Sequence, residues 1–270
     1  MFYPSDRINL HTHSCFCDHA QGSIDDYVSS AIDSGLEVLG FTEHAPVPGD
    51  PISCNMMMHN LKNYVSAVRN ADKKNKIHVL LGAECDYDPM LKNFYKEELL
   101  EKNGFDYLIA SVHLYFSREL RAFEFVSRSK DFTKYLTDYV AVYCSALESG
   151  LFAFGCHPDL FRASYLPWDS NAIAASKDII QCAVQLGIPL EINAGGLRQK
   201  KISTPSGERQ PYTTGEFFQL GSELGLKTLI STDAHLAKDV AAVEACRLLA
   251  DKCHLNPLGC TIDTDGKLKL

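Results

Sequence analysis

The residues best suited to chemistry recur at intervals along the 270-residue chain. His11-Thr12-His13 opens the series with His19 six residues on, and Glu43-His44, Glu84, Ser111-Val112-His113, Cys156-His157-Pro158-Asp159 and Thr232-Asp233-Ala234-His235 follow. Seven of the ten histidines fall in these short motifs, so they are unlike histidines scattered through a core. Alternate residues of a strand project to one face, so His11 and His13 can aim at one point. Together His11, His13, His19, His44, Glu84, His113, His157, Asp233 and His235 make nine donors. That exceeds what one or two ions with three or four protein ligands each would use, and it suits three. Mixed imidazole and carboxylate ligation favours Zn, Mn or Fe over Mg or Ca.

Something must hold these motifs together, and the pattern between them says what. Apolar strand-like runs at 8–10, 37–42, 77–82, 107–112, 152–156, 189–193 and 227–232 alternate with helical patterns near 25–33, 59–73, 90–102, 131–149, 169–186, 214–223 and 237–252. Strands this apolar, separated by helices, read as a parallel sheet covered by helices. In an open sheet, ligands gather at one crevice where strand order reverses. Here almost every strand carries a candidate ligand at its carboxyl end, and convergence of so many ends needs a closed ring. The expected fold is therefore an α/β, TIM-like barrel of seven units, irregular for lack of an eighth, with the site at the carboxyl ends of its strands. One domain over residues 1–270 is expected. The stretches 45–58, 113–130 and 197–213 read as loops. A Thr261-Ile262-Asp263 alternation followed by Asp265-Gly266 predicts a small C-terminal hairpin.

Composition narrows the partners. A net charge of -8 argues against nucleic acid held by many phosphate contacts, which relies on clustered Lys and Arg. No apolar run reaches membrane-spanning length and Met1 to Arg7 lack a signal-peptide pattern, so a cytoplasmic location without a membrane partner is expected. The ten cysteines are scattered and read as reduced and mostly buried. Cys15 and Cys17 flank the first histidines, where packing is a simpler role than ligation.

In order along the chain, H-x-H-x5-H, T-E-H, G-x-E, S-V-H, G-C-H-P-D and S-T-D-A-H resemble the PHP (polymerase and histidinol phosphatase) superfamily. The segments His11 to Ala20, Phe41 to Pro46 and Gly82 to Tyr87 look most like its histidinol-phosphate phosphatase branch. The resemblance implies a distorted (β/α)7 barrel with three metal ions. It places His11, His13, Glu84 and Asp233 on the first, Glu84, His113 and His157 on the second, and His19, His44 and His235 on the third. It also implies a metal-dependent phosphomonoesterase acting on L-histidinol phosphate in histidine biosynthesis, by attack of a metal-bridging hydroxide on phosphorus. Asp233 and His235 are the nearest candidates to stabilise the leaving alcohol. A PHP-type phosphodiesterase or 3′-5′ exonuclease, or a phosphatase for another small molecule, is the alternative, and the acidic balance favours a small phosphorylated substrate.

Two arginines lie just past strand ends, Arg162 five residues after His157 and Arg198 five after Asn193. A guanidinium fork matches phosphate oxygens, so both are candidate phosphate contacts. For the ammonium and imidazole of histidinol, Asp86 and Tyr115 are the expected contacts, with Tyr87, Asp88, Phe116 and Glu119 beside them. The loop from Pro46 to Met58 either closes over the site or covers the barrel edge with its three methionines.

Overall fold

The computed structural model describes residues 1–48, 55–74, 76–117, 122–125, 132–264 and 266–270; for 114–117, 122–125 and 132–133 it describes the backbone alone. Seven parallel strands form the centre: β2 (Ile8–Asn9), β3 (Val38–His44), β4 (His78–Asp86), β5 (Tyr107–Ser111), β8 (Phe154–Gly155), β9 (Leu190–Asn193) and β12 (Thr228–Ser231). They lie side by side in the order β12-β9-β8-β5-β4-β3-β2. The ring closes just past the ends of the outer two, where His13 N donates to Ala234 O (2.9 Å) and Asp233 N to His11 O (2.8 Å). Asn9 bolts the seam from its side chain, donating to Thr232 Oγ1 (2.6 Å) and Val240 O (2.8 Å). The irregular barrel expected from the strand-end motifs is the architecture observed.

Strand periodicity explains how the ring carries both a core and a polar mouth. Along β3, Leu39 and Phe41 join the large cluster under the helices, whereas Val38 joins the barrel interior. The same alternation sends Leu80 of β4, Tyr107 and Ile109 of β5, Phe154 of β8 and Leu229 of β12 inward. Two registers higher on β3 and β4, that inward face changes from apolar to polar, and His44 pairs with Glu84 across the two strands. Tyr107 needs room in this narrow interior. Gly40 and Gly82 supply it, since a Cβ at either would run into the tyrosine ring or hydroxyl, and that hydroxyl donates to Leu10 O (2.8 Å).

Helices α1 (Ile24–Asp33), α2 (Leu61–Lys74), α3 (Phe132–Glu148), α4 (Ser170–Leu186), α5 (Ala194–Arg198), α6 (Gly215–Glu223) and α7 (Glu244–Lys252) surround or cap the ring. Ser23 opens α1 with a reciprocal capping box to Asp26. Asp169 caps α4, which ends at Gly187 in the left-handed conformation. Five features differ from the sequence reading, the first being that the helix expected near 237–252 is a 3-10 turn over Ala237–Asp239 followed by α7. Pairing of Asp86 with Ser111 prolongs β4 past Gly82. The segment expected as a helix near 90–102 is a 3-10 turn, capped by Asp88, and then a π-helix over Phe94–Lys102. The stretches read as loops contain the hairpins β6 (Leu114–Ser117) with β7 (Ala122–Phe125) and β10 (Ile202–Thr204) with β11 (Gly207–Arg209), besides α5. Finally, the predicted C-terminal hairpin, β13 (Cys260–Ile262) with β14 (Leu268–Lys269), gains a third strand from the other terminus, β1 (Phe2–Tyr3). Tyr3, Cys260 and Ile262 of this sheet pack on Ile8, Val38 and Leu80, forming a floor opposite the polar mouth. Among the described residues no helix is long and apolar enough to cross a membrane.

Candidate metal centre

The mouth gathers all nine expected donors. His11 and His13 follow β2 and turn their Nε2 atoms to within 3.1 Å of each other. Asp233 Oδ1 stands 3.6 Å from the first and 3.3 Å from the second, and Glu84 Oε2 lies 3.6 and 3.4 Å away. The second oxygen of Glu84 faces the other way, 2.7 Å from His157 Nε2 and 3.7 Å from His113 Nε2. Beyond His13, His19 Nε2 meets His235 Nε2 at 2.9 Å, and donor atoms of His19, His44 and His235 converge as a third group. His44 Nδ1 also lies 3.0 Å from Glu84 Oε2, so the three groups adjoin. His157 and Asp233 hold their side chains here with positive φ, 29° and 48°. Such backbone is disfavoured for residues other than glycine and persists where surrounding contacts impose it.

The electrostatics favour cations. Burial, then the neighbouring His235 and His44, hold the His13 imidazole far below its usual pKa; burial with His44 and His235 lowers His19 to about 4, and burial lowers His235. These rings are therefore neutral at pH 7 and offer lone pairs. Burial opposes ionisation of Glu84 and Asp233 as well. The adjoining histidines outweigh it, led by His113 and His44 for Glu84 and by His11 for Asp233, and both stay carboxylates. For His113, burial is overcome by Asp86 and Glu84, which raise it to about 9. Burial opposes a charge on His11, but Glu191, Asp233 and Glu84 outweigh it and raise its pKa well above the usual value; Nδ1 faces Glu191 Oε1 at 2.8 Å, so Nε2 is the nitrogen that a metal ion would free of its proton. Once that proton leaves, the imidazole lone pairs and carboxylate oxygens that face one another at 3.1–3.6 Å repel unless another positive charge lies among them. That donor chemistry fits transition-metal ions.

The other expected site residues are distributed differently. Arg198, in α5, is exposed at the rim, and its Nη2 donates to Thr232 O (2.7 Å) and Asp233 O (3.0 Å). Arg162 has a different setting. It is buried, donates from Nη1 to Tyr165 O (3.0 Å) and Pro167 O, and stacks over Trp168. Asp86 faces His113, accepting from its N (2.5 Å) and lying 3.4 Å from its Nδ1, so it supports that ring. The Tyr115 and Phe116 side chains and all of Glu119 lie outside the described residues. Of the loop 46–58, residues 49–54 lie outside them too; Met56 is buried, whereas Met57 and Met58 are exposed. Cys15 is exposed, and buried Cys17 comes within a donor group with His13 and His235 while its thiol donates to Ser14 O (3.4 Å).

Several buried polar residues escaped the sequence reading. Asp159, within the motif G-C-H-P-D, accepts from Thr213 N, Thr214 N and Thr214 Oγ1 at 2.7–2.9 Å and ties the loop after β8 to the start of α6. Glu43 points away from the mouth, accepting from Ser14 N (2.7 Å) and Oγ (2.5 Å). Glu191 and Asn193, on β9, carried no motif at all. Only their neighbours in space give them meaning.

A parallel barrel whose strand ends pool histidines and carboxylates defines a class of metal-binding proteins, and the family comparison narrows it. The PHP domain profile matches residues 9–195, and the chain belongs to the PHP domain family. It is 29% identical over 235 residues to a protein of Deinococcus radiodurans named "Probable histidinol-phosphatase", covering 85% of this chain and 86% of that one. A Schizosaccharomyces pombe protein of the same name is 25% identical over 277 residues, covering 95% and 89%. Among solved structures, histidinol phosphate phosphatase of Lactococcus lactis, complexed with Zn, L-histidinol and phosphate, superposes with a TM-score of 0.72 at 19% identity, over 98% of this chain and 99% of that one.

Proposed function

We propose that the protein is a metal-dependent phosphomonoesterase that hydrolyses L-histidinol phosphate to L-histidinol and phosphate. The observation that carries this reading is the convergence of nine imidazole and carboxylate donors in three adjoining groups at one barrel mouth, in a chain whose relatives are named for this activity. His11, His13, Glu84 and Asp233 would hold one ion, Glu84, His113 and His157 a second, and His19, His44 and His235 a third, with Zn, Mn or Fe as the candidates. When bound, such ions lower the pKa of coordinated water to roughly 7 and neutralise phosphoryl oxygens. The chain's own groups do the rest. Arg198 is anchored through Nη2, and its Nε and Nη1 have no hydrogen-bond partner among the described residues, so they are available to a phosphate at the rim. Asp233 is kept ionised by its histidines, so it can take a proton at its carboxylate from the attacking water and pass it to the leaving alkoxide, but it brings none of its own. His235 Nδ1 faces Asp233 O at 3.1 Å, which fixes that ring with Nε2 toward His19.

The test is phosphate release by protein loaded with Zn or Mn, compared across histidinol phosphate, unrelated monoesters and single-stranded DNA. Preference for histidinol phosphate, abolished by chelation and restored by metal, is the expected result. Equal turnover of every monoester would refute the substrate, and nucleotide release from DNA would move the protein to the exonuclease reading.

A further inference from the structure

Six of the seven barrel strands deliver a candidate ligand at or just beyond their carboxyl ends, and β9 delivers none. It contributes Glu191 and Asn193 instead. The two sit two residues apart on the inward face, while Leu190 and Ile192 pack under the helices. Both are fully buried. Glu191 Oε1 accepts from His11 Nδ1 (2.8 Å); Oε2 accepts from His157 N (2.9 Å) and from Asn193 Nδ2 (2.7 Å). Asn193 Nδ2 also reaches Asp233 Oδ2 at 3.3 Å, and its Oδ1 accepts from Gly196 N (3.2 Å), which locks the amide's orientation. One carboxylate and one amide on one strand thus touch residues of β2's extension, β8's end and β12's end.

A buried carboxylate is costly unless its oxygens are satisfied, and both oxygens of Glu191 are satisfied by groups belonging to donors of the mouth or to the residue that holds another. The contacts also fall where the backbone is unfavourable, at the peptide of His157 and the side chain of Asp233, the two donors with positive φ. We infer that Glu191, extended by Asn193, is a positioning residue for the metal centre, fixing the His11 tautomer and ring plane, the His157 peptide and the Asp233 carboxylate from the one strand that carries no ligand. It rests on the ligand set assigned above but not on the identity of the substrate. Direct ligation is the competing role, because donor atoms of His11, Cys156 and Glu191 also lie within one group. Geometry opposes it: the His11 nitrogen on that side is the one already facing Glu191, and an imidazole nitrogen that carries the shared proton has no lone pair for an ion.

Glu191→Gln keeps the shape but presents an amide donor where two acceptors are needed. It is expected to weaken Zn affinity, measured by competition with a chromogenic chelator, by about 10–100-fold, and to alter the visible spectrum of the Co(II)-loaded protein while far-ultraviolet circular dichroism is retained. Unchanged affinity together with an unchanged Co(II) spectrum would overturn the role. Should Glu191→Gln fail to fold, the Zn-loaded unmutated protein decides by 15N NMR of its histidines: His11 protonated at Nδ1 supports the role, and protonation at Nε2 overturns it. A thiolate-to-cobalt charge-transfer band lost in Cys156→Ser would show ligation in the His11, Cys156 and Glu191 group and overturn it also. Full metal retention in His13→Ala would overturn the ligand set and this role together, whereas loss of metal there with wild-type metal binding in Glu191→Gln would overturn this role alone.

Discussion

A histidine becomes a ligand or a charged group according to what stands behind it, and His113 shows the difference. Asp86 and Glu84 raise its pKa from 6.5 to about 9, so in the metal-free protein it stays protonated at pH 7. A raised histidine pKa stabilises the fold fully below the unfolded value and loses that contribution as pH climbs through the folded one, here between about 6.5 and 9. Metal must displace this proton, so uptake at pH 7 is expected to release protons and to strengthen toward pH 9. Calorimetric titration in buffers of different ionisation enthalpy counts them; a count of zero would contradict the assignment of His113. Arg198 makes a second prediction at this scale. Its loss in Arg198→Ala removes a charge-assisted contact of roughly 1.5–3 kcal/mol, so kcat/KM should fall by about 10–100-fold with metal content preserved. Steady-state kinetics alongside elemental analysis would reveal an unchanged kcat/KM, which would place the phosphate elsewhere.

Strands transmit these residue properties because their inward faces change from apolar to polar along their length. Tyr107 stands at that boundary, its ring in the space left by Gly40 and Gly82 and its hydroxyl on the carbonyl of Leu10, next to His11. Gly40→Ala should therefore push the ring and cost about 1–3 kcal/mol by overpacking, with weaker metal binding because the β2 end shifts. Denaturant unfolding of the metal-free variant measures the first effect; a midpoint equal to wild type would show that the interior can yield. Much at this scale was legible in sequence. Apolar runs marked all seven strands, six of them followed by a donor motif, because burial on both faces leaves a continuous apolar signature. The hairpins β6–β7 and β10–β11 were not legible, since a short exposed ribbon such as Ile202–Arg209 has the composition of a loop.

At the scale of the molecule, the barrel has a polar mouth and a floor made from both termini. The Met1 ammonium donates to Ile262 O (2.6 Å), and Ile262 lies buried with Tyr3, Ile8 and Val38. Ile262→Ala is expected to destabilise by about 2–5 kcal/mol, read as a lower Tm of the metal-free protein, while the distant mouth keeps its metal affinity. Parallel losses of stability and metal affinity would instead mean that floor and mouth move as one unit.

The sequence by itself determined the donor-bearing strand ends and the ring they require, because strand periodicity and donor chemistry are properties of a few consecutive residues. The tertiary structure decided the rest, through pairs far apart in the chain. Asn9 meets Thr232 to close the seam, Glu191 meets His11, and the floor joins residue 1 to residue 262. It also separated two arginines that looked alike in sequence. Arg198 is exposed at the rim beside Asp233, whereas Arg162 is buried and satisfies the carbonyls of Tyr165 and Pro167, a difference set by packing that no local pattern records.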